Sequence, residues 1–89
     1  MTHDEVLART RAYVFKTFLY MRPGFSLGDG DRLFAKGVID SMGVVELIDF
    51  LQSEFGITVA DDEITEKNLG ALSDIARFVV GKRAAGAAA

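Results

Sequence analysis

Apolar residues recur at helical spacing in three stretches of the chain, separated by segments rich in glycine and polar residues. In the first, Leu7, Val14, Phe18 and Met21 fall near one helical face, with Phe15 and Leu19 beside them. Arg9, Arg11 and Lys16 lie outside that stripe. Thr2-His3-Asp4-Glu5 precedes it as a capping box, and the helix is predicted to end before Arg22-Pro23-Gly24. A second helix opens at Ser41, a favoured N-cap residue, and runs to about Phe55, where Gly56 stops it. Intervals of roughly 100° per residue put Val44, Leu47, Ile48, Leu51 and Phe55 in one buried sector. Met42, Val45, Glu46 and Asp49 fall opposite, with Val45 able to tuck partly inward. Leu72, Ile75, Ala76 and Val79 mark the inner stripe of a last helix from about Ala71 to Gly81, with Phe78 alongside.

The intervening segments are not slack. Residues 22–40 form a connection too long for a compact domain unless it is ordered and functional. Phe25, Leu27, Leu33, Phe34, Val38 and Ile39 give it apolar surface to pack over the helices, and Gly37 is expected at positive φ. Ile57-Thr58-Val59 alternates like a strand but has no partner strand, so it reads as extended loop. A short helix is expected between Asp61 and Asn68. Phe15, Phe18, Phe34, Phe55 and Phe78 are assigned to the core. The predicted fold is an all-α four-helix bundle, three main helices plus one short one, with a long first loop. Residues 1–81 form its single domain and 82–89 a flexible tail.

Composition narrows the chemistry. The 89 residues contain no cysteine and one histidine, His3, which removes disulfides, thiolate metal sites and a histidine zinc site. No calcium-loop spacing and no membrane-spanning apolar run are present. The N-terminus lacks the basic start and apolar stretch of a signal peptide, so the cytoplasm is the expected location. The net charge is −3, but it is unevenly spread. Eight acids and no Lys or Arg occupy positions 40–66, while the remainder carries five acids and ten bases. Such a segment does not suit nucleic acid, and it suits a partner with a basic face.

Gly37-Val38-Ile39-Asp40-Ser41-Met42-Gly43, followed by the amphipathic run through Phe55-Gly56-Ile57, resembles the acyl and peptidyl carrier protein family. The Leu33-Phe34 pair, the acids Asp61, Asp62 and Glu63, and the closing stretch from Asn68-Leu69 to Phe78-Val79 extend the resemblance over about Val6 to Val80. It implies 4'-phosphopantetheine carried covalently on Ser41, with Asp40 assisting attachment by helping to hold a magnesium ion, and no stable metal site. It implies as partners a phosphopantetheinyl transferase with coenzyme A as donor, an acyl- or aminoacyl-loading enzyme, and a downstream synthase or transferase. The protein itself would be a non-catalytic carrier and a monomer. Met42 departs from the usual leucine, Ala60 stands where many members have proline, and Gly43 lowers helix propensity by roughly 1 kcal/mol relative to alanine. These departures leave the attachment chemistry intact and the subfamily open: fatty acyl, polyketide, aminoacyl and D-alanyl carriers share the frame.

Physical reasoning gives the same residues a role. A serine at a helix start sits beside unbonded N–H groups and the positive end of the helix dipole, where a phosphodiester is favoured. Met42, Val45, Glu46 and Asp49 make a mixed strip for docking, the acids steering a basic partner and Met42 supplying adaptable contact. A thiol on an imported arm would also supply what a cysteine-free chain lacks. The alternative is an unmodified helical interaction module of the same fold. A hydrolase built on Ser41, His3 and Asp40 has no nucleophile elbow and no oriented histidine.

Overall fold

Thr2 starts the first helix, α1 (His3–Thr17), with both bonds of a capping box: Glu5 N–H donates to Thr2 Oγ1 at 3.2 Å and Thr2 N–H to Glu5 Oε1 at 3.3 Å. The computed structural model describes the backbone of residues 1–88 and the side chains of residues 1–86. The buried stripe of α1 is Val6, Thr10 and Val14, one step around from the face read in the sequence; Leu7 is only half-buried. The helix also stops earlier, because the N–H groups of Phe18 and Leu19 both reach the Val14 carbonyl, at 2.8 and 3.2 Å. That widened last turn brings Leu19 into the core and leaves Met21 78% exposed, which corrects its placement on the inner stripe.

Thr10 is fully buried in this stripe, and its hydroxyl has no hydrogen-bond partner among the described residues. An unpaired buried hydroxyl costs free energy that an apolar group of the same shape does not. Thr10→Val is therefore expected to stabilise the protein by about 1 kcal/mol, or about 4–8 °C in melting temperature for a domain this small. Thermal denaturation followed by circular dichroism checks this, and a lower melting temperature would contradict it.

The 22–40 connection is ordered. Leu27, Leu33, Val38 and Ile39 are buried as expected, whereas Phe34 is 43% exposed and does not belong to the core. Gly28 N–H donates to Asp31 Oδ2 at 2.7 Å, and Arg11 reaches the Leu27 carbonyl and the Asp29 carboxylate. Two backbone bonds fasten the loop to the opposite end of the chain, Leu33 N–H to the Gly70 carbonyl and Ser73 N–H to the Asp29 carbonyl, both at 2.9 Å. Gly37 has φ 70°, a conformation that disfavours any residue with a Cβ.

The second helix, α2 (Ser41–Phe55), ends on Gly56 in the left-handed conformation. Gly43, Leu47, Leu51 and Phe55 are buried, with Val44 and Ile48 half-buried against them. The segment after it is extended, with Val59 N–H held by Gln52 Oε1 at 3.0 Å. The expected short helix is a 3₁₀ turn, Asp61–Glu63, followed by α3 (Glu66–Leu69), which Thr65 caps through Asn68 N–H. The last helix, α4 (Leu72–Ala88), buries Leu72, Ile75, Ala76 and Val79, and α1, α2 and α3 all pack against it.

The predicted end of this helix near Gly81 is corrected: α4 continues through 82–88 of the expected tail, and Ala89 lies outside the described residues. Alanine has the highest helix propensity, so this segment continues the helix readily. Its first two residues are also anchored, Lys82 Nζ on Glu63 Oε1 at 2.8 Å and Arg83 Nη1 on the Phe55 carbonyl at 2.5 Å. The described residues form no strand, so the fold is an all-helical bundle. None of these helices is long and apolar enough to cross a membrane.

Candidate functional site

The structure divides the work at the mouth of α2 differently from the sequence reading. Asp40, in extended conformation, is the N-cap: its Oδ1 accepts from Gly43 N–H at 2.9 Å and its carbonyl from Val44 N–H at 3.0 Å. Ser41 is the first helical residue and is exposed. Asp40 rather than Ser41 takes the cap because the extended backbone ends at position 40, from which the carboxylate meets the N–H three residues on. The cap therefore comes from Asp40, and the Ser41 hydroxyl is not needed for it. Asp40's bond accounts for one orphan donor of the first turn, while the N–H groups of Ser41 and Met42 have no partner within the helix. They stand at the positive end of a 15-residue helix. A phosphate ester on Ser41 fits this surrounding.

Gly43 explains how α2 can start so close to α1. A Cβ on it would lie 3.1 Å from Phe18 Cε1 and 3.3 Å from Ile39 Cβ, tighter than ordinary packing. The lack of a side chain lets the Phe18 ring and the loop press against the first turn, which fixes where Ser41 points out of the bundle.

Beside Ser41 opens a cleft of about 330 Å³. Ser41 and Val44 of α2 form one side, and Thr65, Glu66 and Leu69 form the other. Phe34 and Ile64 complete it, 43% and 40% exposed. Most of this wall escaped the sequence reading. Val44 was assignable to the core by periodicity and Phe34 by its apolar side chain, and a half-buried residue beside a cleft has the same pattern as one in the interior.

Met42 and Val45 are 76% and 58% exposed, and Glu46 and Asp49 are exposed on the same side of α2. Val45 does not tuck inward. Tyr13 and Phe50 stack with ring centroids 3.9 Å apart. Tyr13 Oη donates to the Glu46 carbonyl at 3.1 Å, and burial pushes its phenol pKa up, with Glu46 and Asp49 adding to the rise. Apart from Asp40, which caps α2, the acids of 40–66 split into two sets. Glu54, Glu63 and Glu66 are tied to Arg9, Lys82 and Arg32 at 3.2, 2.8 and 2.7 Å. Glu46, Asp49, Asp61 and Asp62 take part in no ion pair among the described residues, so their field reaches solvent uncompensated. Among the same residues, no group of three or more His, Asp or Glu side chains could hold a metal ion. Asp40 could offer at most one ligand to an ion held chiefly by other molecules.

Arg32, which the sequence did not single out, bonds three acceptors behind the cleft. Its Nη2 donates to Glu66 Oε2 and to the Glu66 carbonyl, and its Nη1 to Asp74 Oδ2, each at 2.7 Å. Its hydrogen bonds to the Glu66 and then the Asp74 carboxylate raise its pKa above the ordinary arginine value.

Comparison with known proteins agrees with this geometry. The family model described as a phosphopantetheine attachment site matches residues 14–76. The chain is also similar to a D-alanyl carrier protein of Streptococcus suis (strain 05ZYH33). The two are 42% identical over 62 residues, which cover 70% of this chain and 77% of that protein.

Proposed function

The chain belongs to the phosphopantetheine-bearing carrier proteins, whose cofactor is a covalently attached 4'-phosphopantetheine, and we propose that Ser41 is its attachment residue. On this reading the arm holds an acyl or aminoacyl group as a thioester and presents it to other enzymes. One observation carries the assignment: Ser41 is exposed on the first turn of α2, with its hydroxyl released from capping by Asp40. The serine binds the arm. The free N–H groups of the first turn favour the phosphate, and the neighbouring cleft offers apolar surface to the cargo. Asp40 holds the turn in shape and offers a carboxylate to the ion used during attachment. The protein needs no catalytic group of its own for this, and members of the family are in general not catalysts.

The test is intact-mass measurement after incubation with coenzyme A and a broad-specificity phosphopantetheinyl transferase. A single pantetheine-sized gain, mapped to the peptide containing Ser41, is expected. A gain elsewhere would move the arm to another residue, and no gain would leave an unmodified interaction module. The S. suis relative is a D-alanyl carrier, which favours an aminoacyl cargo, D-alanine first. The mass of the thioester on protein taken from its native cell decides between that and a fatty acyl or polyketide group.

Met42, Val45, Glu46 and Asp49 form the docking strip on this reading. Because Glu46 and Asp49 are exposed and outside the ion pairs, changing both to Lys removes no internal contact. The double variant is expected to slow transfer from partner enzymes about 10-fold or more at low salt, the scale on which steering raises association rates. The deficit should narrow as salt rises, because exposed charges are screened. Equal rates for variant and wild type at low salt would remove the steering argument.

A further inference from the structure

We propose that Arg32 is the positioning residue of the cleft: it fixes the wall facing Ser41 and so sets how well a group tethered there is shielded from water. The proposal rests on Ser41 being the tether. α3 has only four residues, too few to hold a helix by its own bonds, so its position depends on what it is fastened to. It packs on α4, where Arg77 Nη2 also donates to the Lys67 carbonyl at 2.9 Å, and on the loop side Arg32 fastens it through both the side chain and the carbonyl of Glu66. The same guanidinium reaches Asp74 in the first turn of α4. One planar group thus joins the long loop, α3 and α4.

Both ends of this tie belong to the cleft. Glu66 lines it, and so does Phe34, two residues beyond Arg32. Between them, Leu33 N–H donates to the Gly70 carbonyl at 2.9 Å and repeats the link in backbone. Gly70 provides the room: a Cβ there would lie 1.7 Å from Arg32 Nη2 and 2.4 Å from the Glu66 carbonyl oxygen. No residue with a side chain fits at position 70 while the guanidinium keeps its place.

Two features separate positioning from stability. The Arg32 and Glu66 side chains are 43% and 59% exposed, and an ion pair this open adds little to the global stability; Asp74 is only 16% exposed, but it keeps Arg77 as a partner at 3.3 Å when Arg32 is lost. The network's geometry, however, needs a flat donor fork meeting three acceptors, which lysine cannot reproduce. Loss of Arg32 should therefore leave the bundle folded while α3 opens more often.

The experiment loads the full chain at Ser41 with a hexanoyl or acetyl arm from the corresponding acyl-coenzyme A, then follows thioester cleavage by hydroxylamine with intact mass. Arg32→Gln is expected to lose the hexanoyl group about fivefold faster than wild type, the change that a modest shift in a local opening equilibrium gives. Arg32→Lys should fall between them, and the acetyl arm should show a smaller difference. Amide hydrogen exchange on unmodified protein reads the same tie without the tether, and Asn68, Leu69 and Gly70 should exchange faster in Arg32→Gln. If Arg32→Gln fails to fold, Glu66→Gln, which keeps the carbonyl bond, replaces it in both measurements. Wild-type cleavage rates together with wild-type exchange would overturn the proposal. A wild-type chain that never gains an arm on Ser41 would instead overturn the tether, a result recognisable before any rate is measured.

Discussion

Ser41→Ala is expected to abolish the pantetheine mass gain completely while leaving helix content and melting temperature within error of wild type. The structure is what makes this substitution clean. Were Ser41 the N-cap, its loss would cost about 0.5–2 kcal/mol, and a failed modification could be blamed on a frayed α2. Asp40 holds the cap instead, through Gly43 N–H, and Ser41 is an exposed first-turn residue where alanine is well tolerated. Asp40→Ala is the contrasting variant: it removes the cap and a carboxylate together, so both helix stability and modification should suffer. Intact mass and circular dichroism on the two variants separate the roles. Retained mass gain in Ser41→Ala would end the assignment, because the arm would then sit elsewhere.

That Ser41 opens α2 and that Met42, Val45, Glu46 and Asp49 share its exposed face were legible because each depends on local order in the chain. A motif of adjacent residues at a helix start, and four positions on one face of that helix, survive folding unchanged. Which of Asp40 and Ser41 caps was harder to read, since both are favoured N-cap residues and only the backbone conformation of position 40 decides. The cleft was not legible at all. Its walls come from residues 34, 41, 44, 64–66 and 69, brought together by the loop's bonds to Gly70 and Ser73. Arg32 looked like any solvated base until Glu66 and Asp74, 34 and 42 positions later, met it.

Helix ends followed the same division. Thr2, Gly37 and Gly56 behave as their residue types require, since caps and positive-φ turns are local. The early stop of α1 and the long run of α4 reflect distant partners. Leu19 turns inward to join the core, and Lys82 and Arg83 find Glu63 and Phe55. Gly43 had seemed only a weak helix former, yet the Phe18 ring needs the space it leaves. Periodicity shows which face is apolar. Whether that face meets the core or a cleft depends on the rest of the fold.

Phe55→Ala is expected to destabilise the protein by about 3–5 kcal/mol, the cost of removing a buried aromatic and leaving a cavity. Phe55 is 1% exposed, and its ring meets Phe50 edge-on with centroids 5.7 Å apart. Small domains hold only about 5–15 kcal/mol in total, so this one change consumes a large part of the margin. Its backbone should suffer less, because the carbonyl keeps its bond from Arg83 and Gly56 still terminates the helix. The position lies at the far end of α2, roughly 20 Å along the axis from Ser41 at 1.5 Å per residue. Below its new midpoint of denaturation the variant should therefore still accept the arm. Denaturant unfolding gives the first quantity and intact mass the second. A loss under 1 kcal/mol would mean that Phe55 is not the core anchor described here. A stable variant that no longer accepts the arm would mean that the far end of α2 shapes the attachment site.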